Sequence, residues 1–153
     1  MIIIGYPGIG KSTLARRNKD YIDLESSCFF INNKRPEDWQ VIYCKVAEDL
    51  SRQGKVVFVS SHKEVVDELL TTSEKVLAIY PDPKLKDEWI KRLKDRYEFT
   101  CLEKDRKAYQ RALEHFDEDI DGMRRCLYIK IALQDMDYCL KCNIEEWRHG
   151  EIN

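Results

Sequence analysis

Short apolar runs alternate along the chain with longer segments in which apolar residues recur at helical spacing. The runs that predict strands lie at residues 2–4, 21–24, 56–59, 76–80 and 129–133. The segments that predict helices lie at residues 10–17, 36–53, 61–70, 84–97 and 103–116. Strands that alternate with helices form βαβ units, and continuously apolar strands are typical of parallel sheets buried on both faces. The pattern therefore predicts an α/β fold with a five-stranded parallel sheet.

Local signals predict where two of the helices begin. Pro36 suits the first position of a helix, and Glu37 and Asp38 suit the first turn that follows it. Ser61 and Glu64 have the spacing of a capping box, in which each side chain accepts a hydrogen bond from the backbone of the other. We therefore expect helices that begin at residues 36 and 61.

Composition and charge narrow the class of protein. The chain has 153 residues, of which 43% are hydrophobic and 35% charged, and its formal net charge is −2. Such values fit a single globular domain over residues 1–153. Sequence-independent binding to the nucleic-acid backbone needs an excess of basic residues, which a near-neutral chain lacks, so we expect no nucleic-acid partner. No apolar run approaches the roughly 20 residues of a membrane span, and the N-terminus lacks a basic leader. We expect a cytoplasmic protein without a membrane partner.

Six cysteines are scattered along the sequence, mostly in apolar stretches. Without an export signal, we expect them to be reduced thiols that fill positions in the core. Cys139 and Cys142 are the only close pair, and a zinc site would need a second pair of ligands. We therefore predict no metal or redox site there.

The sequence GYPGIGKS, from Gly5 to Ser12, fits the phosphate-binding pattern G-x-x-x-x-G-K-[ST] at every specified position. It follows a predicted strand and leads into a predicted helix. Backbone N–H groups of such a loop cradle phosphate oxygens, and the helix N-terminus adds a positive dipole end. Lys11 would contact the β- and γ-phosphates, and the Ser12 hydroxyl would ligate Mg²⁺. The predicted nucleoside triphosphate site consists of Gly5, Gly8, Ile9, Gly10, Lys11, Ser12 and Thr13.

With this motif, the chain resembles the small P-loop kinases of metabolites and nucleotides, of the adenylate-kinase and shikimate-kinase type, and is similar to phage-type nucleoside and nucleotide kinases. Motor ATPases and GTPases generally hold Mg²⁺ with an acid at the end of a second core strand. Here the third predicted strand ends in Ser60, Ser61 and His62, without a carboxylate. The resemblance covers the sheet-forming parts, residues 1–27, 54–97 and 127–134.

The resemblance implies a three-layer α/β/α P-loop NTPase fold with a helical, charged lid insertion. The core would comprise about residues 1–81 and 126–153. The acceptor would bind at about residues 26–54, and a lid-like segment would span about residues 82–125. Residues 81–125 hold 12 basic and 12 acidic side chains, so more than half of the segment is charged.

Two further motifs carry catalytic roles by resemblance. Asp23-Leu24-Glu25 occupies the place of a D-x-D pattern after the second strand of shikimate-type kinases. Asp23 would hold Mg²⁺ through water together with Ser12, and would act as general base if the acceptor is a hydroxyl. Arg92 and Arg96 match an R-x-x-x-R pattern at the edge of a lid, where Arg92 would pack on the nucleotide base and Arg96 would clamp the transferring phosphate. The alternatives are a solvated strand end and an ordinary salt-bridged helix surface.

The segment between the second and third strands contains aromatic, amide and cationic side chains, which suit a base and a phosphate. They are Phe29, Phe30, Asn32, Asn33, Lys34, Arg35 and Trp39. Arg35 is the candidate for an acceptor phosphate, and the aromatic pair could instead form a hydrophobic staple. His62 could bind phosphate or substrate, or be a buried histidine with satisfied hydrogen bonds.

Four arginines of the charged segment are candidates for the far side of the phosphate clamp: Arg106, Arg111, Arg124 and Arg125. A kinase excludes water when the γ-phosphate moves, and mobile lids do this. The alternative for most of the four is a solvated helical hairpin.

Together these features predict an ATP·Mg²⁺-dependent kinase that transfers the γ-phosphate to a nucleoside, a nucleotide or a similar small acceptor. Lys11, Asp23 and Arg96 would be its catalytic residues, and ATP and Mg²⁺ its cofactors. Two alternatives stay open: an interaction module switched by a bound nucleoside triphosphate, and a kinase of nucleic-acid 5′-hydroxyl ends. The acceptor, the choice of ATP over GTP and the oligomeric state are not determined by the sequence.

Overall fold

A computed structural model describes residues 1–30, 32, 34–126 and 128–150. Within these residues the chain forms five strands: β1 (Ile2–Gly5), β2 (Tyr21–Asp23), β3 (Val56–Val59), β4 (Val76–Pro81) and β5 (Ile129–Leu133). It also forms six α-helices: α1 (Lys11–Arg17), α2 (Trp39–Arg52), α3 (Lys63–Glu68), α4 (Lys86–Thr100), α5 (Glu103–Arg125) and α6 (Leu140–His149). Short 3₁₀ turns lie at Ser26–Phe29, Leu69–Thr71 and Pro83–Leu85.

The five strands form one sheet in the order β2-β3-β1-β4-β5, and every neighbouring pair is parallel. In the centre, Ile3 of β1 pairs with Phe58 on one side and with Leu77 on the other. Every residue of β1, β3 and β4 is buried, which explains why these strands are apolar throughout. The predicted α/β fold with a five-stranded parallel sheet is confirmed.

The order of the strands determines where the helices lie. The step from β1 to β2 runs one way across the sheet, and the later steps from β2 to β5 run the other way. Because parallel crossovers are right-handed, α1 lies on one face while α2 and α3 lie on the opposite face. The arrangement is compatible with three α/β/α layers, and it brings the carboxyl ends of β1, β2 and β3 to one edge.

The charged segment forms a hairpin of two helices, since α4 and α5 pack against each other. The predicted helix over residues 103–116 is longer than expected, because α5 continues to Arg125 through an irregular residue, His115 (φ −134°). Phe116, Ile120 and Met123 are buried on this continuation. Their spacing keeps one apolar face along the helix, so packing supports the extra turns.

Both predicted helix starts were wrong. Helix α2 begins at Trp39, because Asp38 before it adopts a left-handed conformation (φ 59°) that interrupts the helical backbone. Helix α3 begins at Lys63 with His62 as its N-cap, and no side chain caps it. Arg35 lies before α2 and His62 lies before α3. A terminal nitrogen of Arg35 is 3.4 Å from His62 Nε2, so these two segments contact each other instead of continuing the helices.

The expectation of core thiols holds for Cys44, which is buried, and was wrong for Cys28 and Cys101, which are exposed. Cys139 and Cys142 are also exposed and form a disulfide, so the expectation of reduced core thiols without redox chemistry was wrong for this pair. Among residues 1–30, 32, 34–126 and 128–150, no three or more His, Cys, Asp or Glu side chains are grouped so that they could hold a metal ion. None of the helices described above combines the length and apolar character needed to cross a membrane.

Candidate functional site

The sequence GYPGIGKS forms a glycine-rich loop (residues 5–12) between the end of β1 and the first turn of α1. Gly8 and Gly10 have positive φ angles of 89° and 100°, which glycine adopts without steric cost. Gly5 is needed for space, because a Cβ there would lie 2.7 Å from Ile9 Cδ1 and 2.9 Å from Lys11 Cδ. A side chain at residue 5 would therefore force the side chains of Ile9 and Lys11 to move.

Lys11 folds back over this loop. Its Nζ donates hydrogen bonds to the carbonyl oxygens of Gly5 (2.7 Å) and Tyr6 (3.1 Å). Burial lowers the pKa of Lys11 to about 8, an effect that Asp23 opposes and Arg96 reinforces. The ammonium group is therefore held inside the loop, near the two other residues predicted to be catalytic.

The carbonyl oxygens of residues 5–8 all accept hydrogen bonds from side chains. Beyond the two bound by the lysine, Trp89 Nε1 donates to Pro7 O (2.8 Å) and the Tyr138 hydroxyl donates to Gly8 O (3.3 Å). A peptide N–H points away from the carbonyl that precedes it, so the bond to Pro7 O turns the Gly8 N–H to the other side. The N–H of Tyr6 donates to Ile79 O and that of Ile9 to Tyr6 O.

Several backbone N–H groups of the loop and of the first turn of α1 are free to bind a ligand. Within the described part of the chain, the N–H groups of Gly8 and Gly10 have no backbone acceptor. The first N–H groups of α1 also lack partners inside their own helix. Loop and helix together present a set of backbone donors, which is the arrangement that binds anions with several oxygens.

Ser12 and Asp23 meet at the start of α1 and the end of β2. The Ser12 hydroxyl donates to Asp23 Oδ2 at 2.5 Å. Leu24 N–H donates to Phe58 O (3.0 Å), which fixes the strand end next to β3. Mg²⁺ is usually held by one or two protein oxygens, with water and substrate phosphates completing its shell. A hydroxyl and a carboxylate in contact fit this requirement.

Glu25, the second acid of the predicted pair, points to another element. Its carboxylate forms an ion pair with Lys104 Nζ of α5 at 2.7 Å. This contact joins the loop after β2 to the start of the second helix of the hairpin.

Arg96 forms an ion pair with Asp105 across the hairpin, at 2.8 Å. Asp105 is only 5% exposed and also accepts a hydrogen bond from the Thr100 hydroxyl at 2.7 Å. The Nε of Arg96 is buried and has no hydrogen-bond partner among the described residues. Arg96 is thus fixed by a buried acid of α5, not by a neighbour on its own helix, and it keeps one unused donor.

Arg92 lies on the wall of a cleft of about 420 Å³ beside the glycine-rich loop. Its guanidinium donates to the Tyr138 hydroxyl and to Met136 O, both at 2.8 Å. It also lies 4.8 Å from the centre of the Trp89 ring. Gly10 and Thr13, both part of the predicted nucleoside triphosphate site, line the same cleft. A flat, fixed cation beside the loop suits the face of a nucleotide base.

Arg35 is held between two aromatic rings in the segment before α2. Its guanidinium carbon lies 4.2 Å from the ring centre of Trp39 and 5.1 Å from that of Phe30. One of its terminal nitrogens donates to the Ser26 hydroxyl (3.2 Å) and lies 3.4 Å from His62 Nε2. Phe30 and Trp39 therefore position the guanidinium of Arg35. The sequence alone had left open that the aromatic residues only form a hydrophobic staple.

Burial lowers the pKa of His62, and the neighbouring Arg35 lowers it further. The ring is accordingly neutral at pH 7, and Nε2 must accept because the guanidinium can only donate. Its Nδ1 then carries the proton and donates to the Ser60 hydroxyl at 2.8 Å. Both ring nitrogens of His62 therefore have partners, as expected for a histidine whose hydrogen bonds are satisfied within the protein.

The remaining residues of the acceptor segment are less closely connected. Phe29 packs on Tyr43, whose hydroxyl donates to Leu24 O (2.7 Å) and accepts from Ser60 N–H (3.0 Å). Asn32 has a positive φ of 49°, and Lys34 is exposed. Asn33 lies outside the described residues. Tyr43 thus joins the loops after β2 and β3, and the segment around it frames the edge of the sheet.

The four arginines expected on the far side of the clamp differ in their surroundings. Three of them pair within α5: Arg106 with Glu103, and Arg124 and Arg125 with Asp121. Arg111 also pairs within α5, with Asp119 at 2.5 Å, and both residues affect the pKa of His62. Of the four, only Arg111 contributes to the pKa of His62, which it lowers slightly.

Several residues that shape this site were not found in the sequence. Asp105 is one of 12 acids in the charged segment, and only its burial distinguishes it. Trp89 is fully buried, and its indole also donates a hydrogen bond to the loop. Tyr138 lies in a segment after β5 that carries no recognisable pattern.

The chain was compared with protein-family models, with curated proteins and with solved structures, and none of them matches. The resemblance to small kinases therefore stays a prediction from the residues of the sequence.

Alanine at Gly8 is expected to destabilise the fold more than alanine at Gly54. Both glycines have similar positive φ angles, 89° and 85°, so both substitutions carry the same backbone strain of about 1 kcal/mol. A Cβ at Gly8 would lie 3.1 Å from Trp89 Nε1 and from Leu93 Cδ2, whereas one at Gly54 meets nothing within 4 Å. The extra contact should cost a further 1–3 kcal/mol or so. Denaturant unfolding of both variants measures the difference, and equal losses would contradict this account of the loop.

Proposed function

We propose that the chain is an ATP·Mg²⁺-dependent phosphotransferase, a small P-loop kinase that transfers the γ-phosphate to a nucleoside, a nucleotide or a similar small acceptor. The observation that carries the proposal is the glycine-rich loop. Among the described residues, the N–H groups of Gly8 and Gly10 have no backbone acceptor, and the first N–H groups of α1 have none within their helix, so these donors are left for a ligand. Such a set of donors suits a polyphosphate.

The cleft beside the loop suits the rest of the donor nucleotide. Arg92 is fixed by Tyr138 and Met136, so its planar face is already oriented for a base before binding. A preorganised side chain loses less entropy when the ligand arrives. Thr13 lines the same cleft and directly follows Ser12, the predicted metal ligand. The part of the cleft that would hold the base is therefore continuous with the part that would hold the phosphates.

Ser12 and Asp23 would hold the metal ion. When bound, Mg²⁺ neutralises charge on the donor phosphates and orients them for transfer. Asp23 lies at the end of β2 and accepts a hydrogen bond from Ser12, so both oxygens are in place at the start of α1. For a hydroxyl acceptor, Asp23 would also accept the proton of the attacking oxygen.

The cations around the loop supply the charge that phosphoryl transfer needs. Lys11 must leave the carbonyl oxygens of Gly5 and Tyr6 to reach a phosphate, and an anion with several oxygens offers it a stronger partner. Arg96 lies close enough to affect the pKa of Lys11, and Asp105 orients it. Catalysis then consists of positioning and of stabilising the charge on the transferring group.

The acceptor side favours a kinase over a nucleotide-dependent switch. Arg35, Ser26 and His62 form a connected polar group between aromatic rings, at the same edge of the sheet as Asp23. A hydrolytic switch needs only water as its acceptor, whereas these residues offer a fixed cation and a flat apolar surface. That combination suits a nucleoside or nucleotide.

Phosphate transfer from labelled ATP·Mg²⁺ tests the proposal. The acceptors are all nucleosides, all nucleoside monophosphates, several hydroxy-metabolites and an oligonucleotide with a 5′-hydroxyl end. We expect one class of small acceptor to be labelled, and we expect Lys11→Ala to abolish labelling because the donor phosphates lose their cation. Lys45→Ala, at an exposed lysine of α2, is the matched control and should keep full activity.

Arg96→Ala should lower the transfer rate by about a thousandfold, the scale of arginines that stabilise this kind of transition state. ATP affinity should change little in this variant. Steady hydrolysis of ATP without any labelled acceptor would contradict the kinase and favour the switch. Labelling of the oligonucleotide alone would favour the kinase of nucleic-acid ends.

ATP affinity should also depend on pH through Lys11. Its pKa of about 8 means that the ammonium is charged below pH 8 and loses its proton as the pH rises above 8. Only the charged form attracts phosphate, so the affinity should fall by up to about tenfold between pH 7 and pH 9. Lys11→Arg stays charged over this range and should show no such fall. Calorimetric titrations at several pH values measure both proteins, and parallel curves would contradict the assignment.

A further inference from the structure

The disulfide between Cys139 and Cys142 lies at the N-terminus of α6. Cys139 is the N-cap residue of this helix, and its Sγ accepts a hydrogen bond from Cys142 N–H at 3.2 Å. Both residues are exposed. A C-x-x-C pair at the N-terminus of a helix has a lowered thiol pKa, because the helix dipole stabilises the thiolate. Exposure and thiolate character together make such a pair able to exchange with external thiols.

The same few residues form a wall of the cleft beside the glycine-rich loop. Tyr138, directly before the first cysteine, donates to Gly8 O and accepts from Arg92. Leu140 and Lys141 lie between the two cysteines and line the cleft. Leu140 Cδ2 also lies 3.9 Å from the position that a Cβ on Gly10 would take. The disulfide therefore closes around two residues of the wall, and a third adjoins it.

We propose that Cys139 and Cys142 are a redox-active pair whose state sets the affinity of the adjoining cleft for its ligand. The identity of that ligand as ATP rests on the proposed function above. The exchange partners are low-molecular-weight thiols and disulfides, which reach exposed sulfur atoms without any opening of the fold.

The exchange balances as follows. The thiolate of one cysteine attacks a sulfur atom of the small disulfide, forms a mixed disulfide and releases one small thiol. The second cysteine then attacks the protein sulfur of the mixed disulfide, which closes the bond and releases the second thiol. The protein pair loses two electrons and two protons, and the small disulfide is reduced to two thiols. Reduction of the pair is the reverse sequence.

The bond affects the cleft through the freedom of the two residues that it encloses. When it is closed, Leu140 and Lys141 belong to a small ring that also contains the N-cap of α6. When it is open, the thiol of Cys139 can still cap the helix, but the backbone of this turn gains conformations. Binding must then order the turn, and this costs entropy that the closed form has already lost. Reduction should therefore weaken ATP binding, by about fivefold on the usual scale of such coupling.

The coupling must act in both directions. If closing the bond strengthens ATP binding by a given factor, ATP must favour the closed bond by the same factor. Saturating ATP should thus raise the value of [GSH]²/[GSSG] at half-reduction by about fivefold, because two glutathione thiols take part in each reduction.

The experiment compares the full chain equilibrated with glutathione disulfide or with excess reduced glutathione. Alkylation followed by peptide mapping reports the state of each cysteine. Hydrogen exchange of residues 136–142 without nucleotide reports the order of the wall, and calorimetry reports ATP affinity. Cys139→Ser keeps a good N-cap but cannot form the bond, so it should behave as the reduced protein under both conditions. Cys101→Ser, at another exposed cysteine, should behave as the unchanged protein.

We expect a closed pair in glutathione disulfide, faster hydrogen exchange of residues 136–142 after reduction, and weaker ATP binding in the reduced protein. Two results would overturn the proposal: thiols that stay free in glutathione disulfide, or a bond that forms without any change in hydrogen exchange. If ATP binds in neither state, the proposed function fails, while the hydrogen exchange still decides whether the pair controls the wall.

Discussion

The site depends on the contact between the Lys11 ammonium and the carbonyl oxygens of its own loop. The lysine side chain occupies space that Gly5 leaves free, since a Cβ there would lie 2.9 Å from Lys11 Cδ. The same contact turns the first two carbonyl oxygens of the loop inwards, and Trp89 and Tyr138 do so for the next two. These contacts hold the four carbonyl oxygens in place, and within the described part of the chain the N–H groups of Gly8 and Gly10 are left without a backbone acceptor.

Cations around this loop are held by partners from other elements. Arg96 on α4 is paired with a buried acid of α5, Arg92 with the segment after β5, and Arg35 with two aromatic rings. Desolvated charges are costly, and leaving one of them without its partner costs several kcal/mol. Each partner therefore fixes the position of its cation. The sheet contributes by bringing the strand ends that carry these elements to one edge.

The sheet and the loop were predictable from sequence because their signals are local. Central parallel strands must be apolar on both faces, and the loop needs glycine at fixed positions. The start of α2 was not predictable, since the left-handed Asp38 overrides the preference of Pro36 for a helix start. The pairing of Arg96 with Asp105 depends on how two helices pack, and no spacing along the chain encodes it. The role of Arg35 likewise appears only when its aromatic neighbours are in place.

The central claim is that the glycine-rich loop binds a triphosphate and that Lys11 exchanges its loop carbonyls for phosphate oxygens. A crystal structure with a non-hydrolysable ATP analogue and Mg²⁺ tests it most directly. The account predicts phosphates against the N–H groups of Gly8 and Gly10, with Lys11 Nζ moved from the Gly5 and Tyr6 carbonyl oxygens onto the analogue. A nucleotide bound elsewhere, or a lysine still hydrogen-bonded to both carbonyl oxygens beside a bound triphosphate, would contradict it.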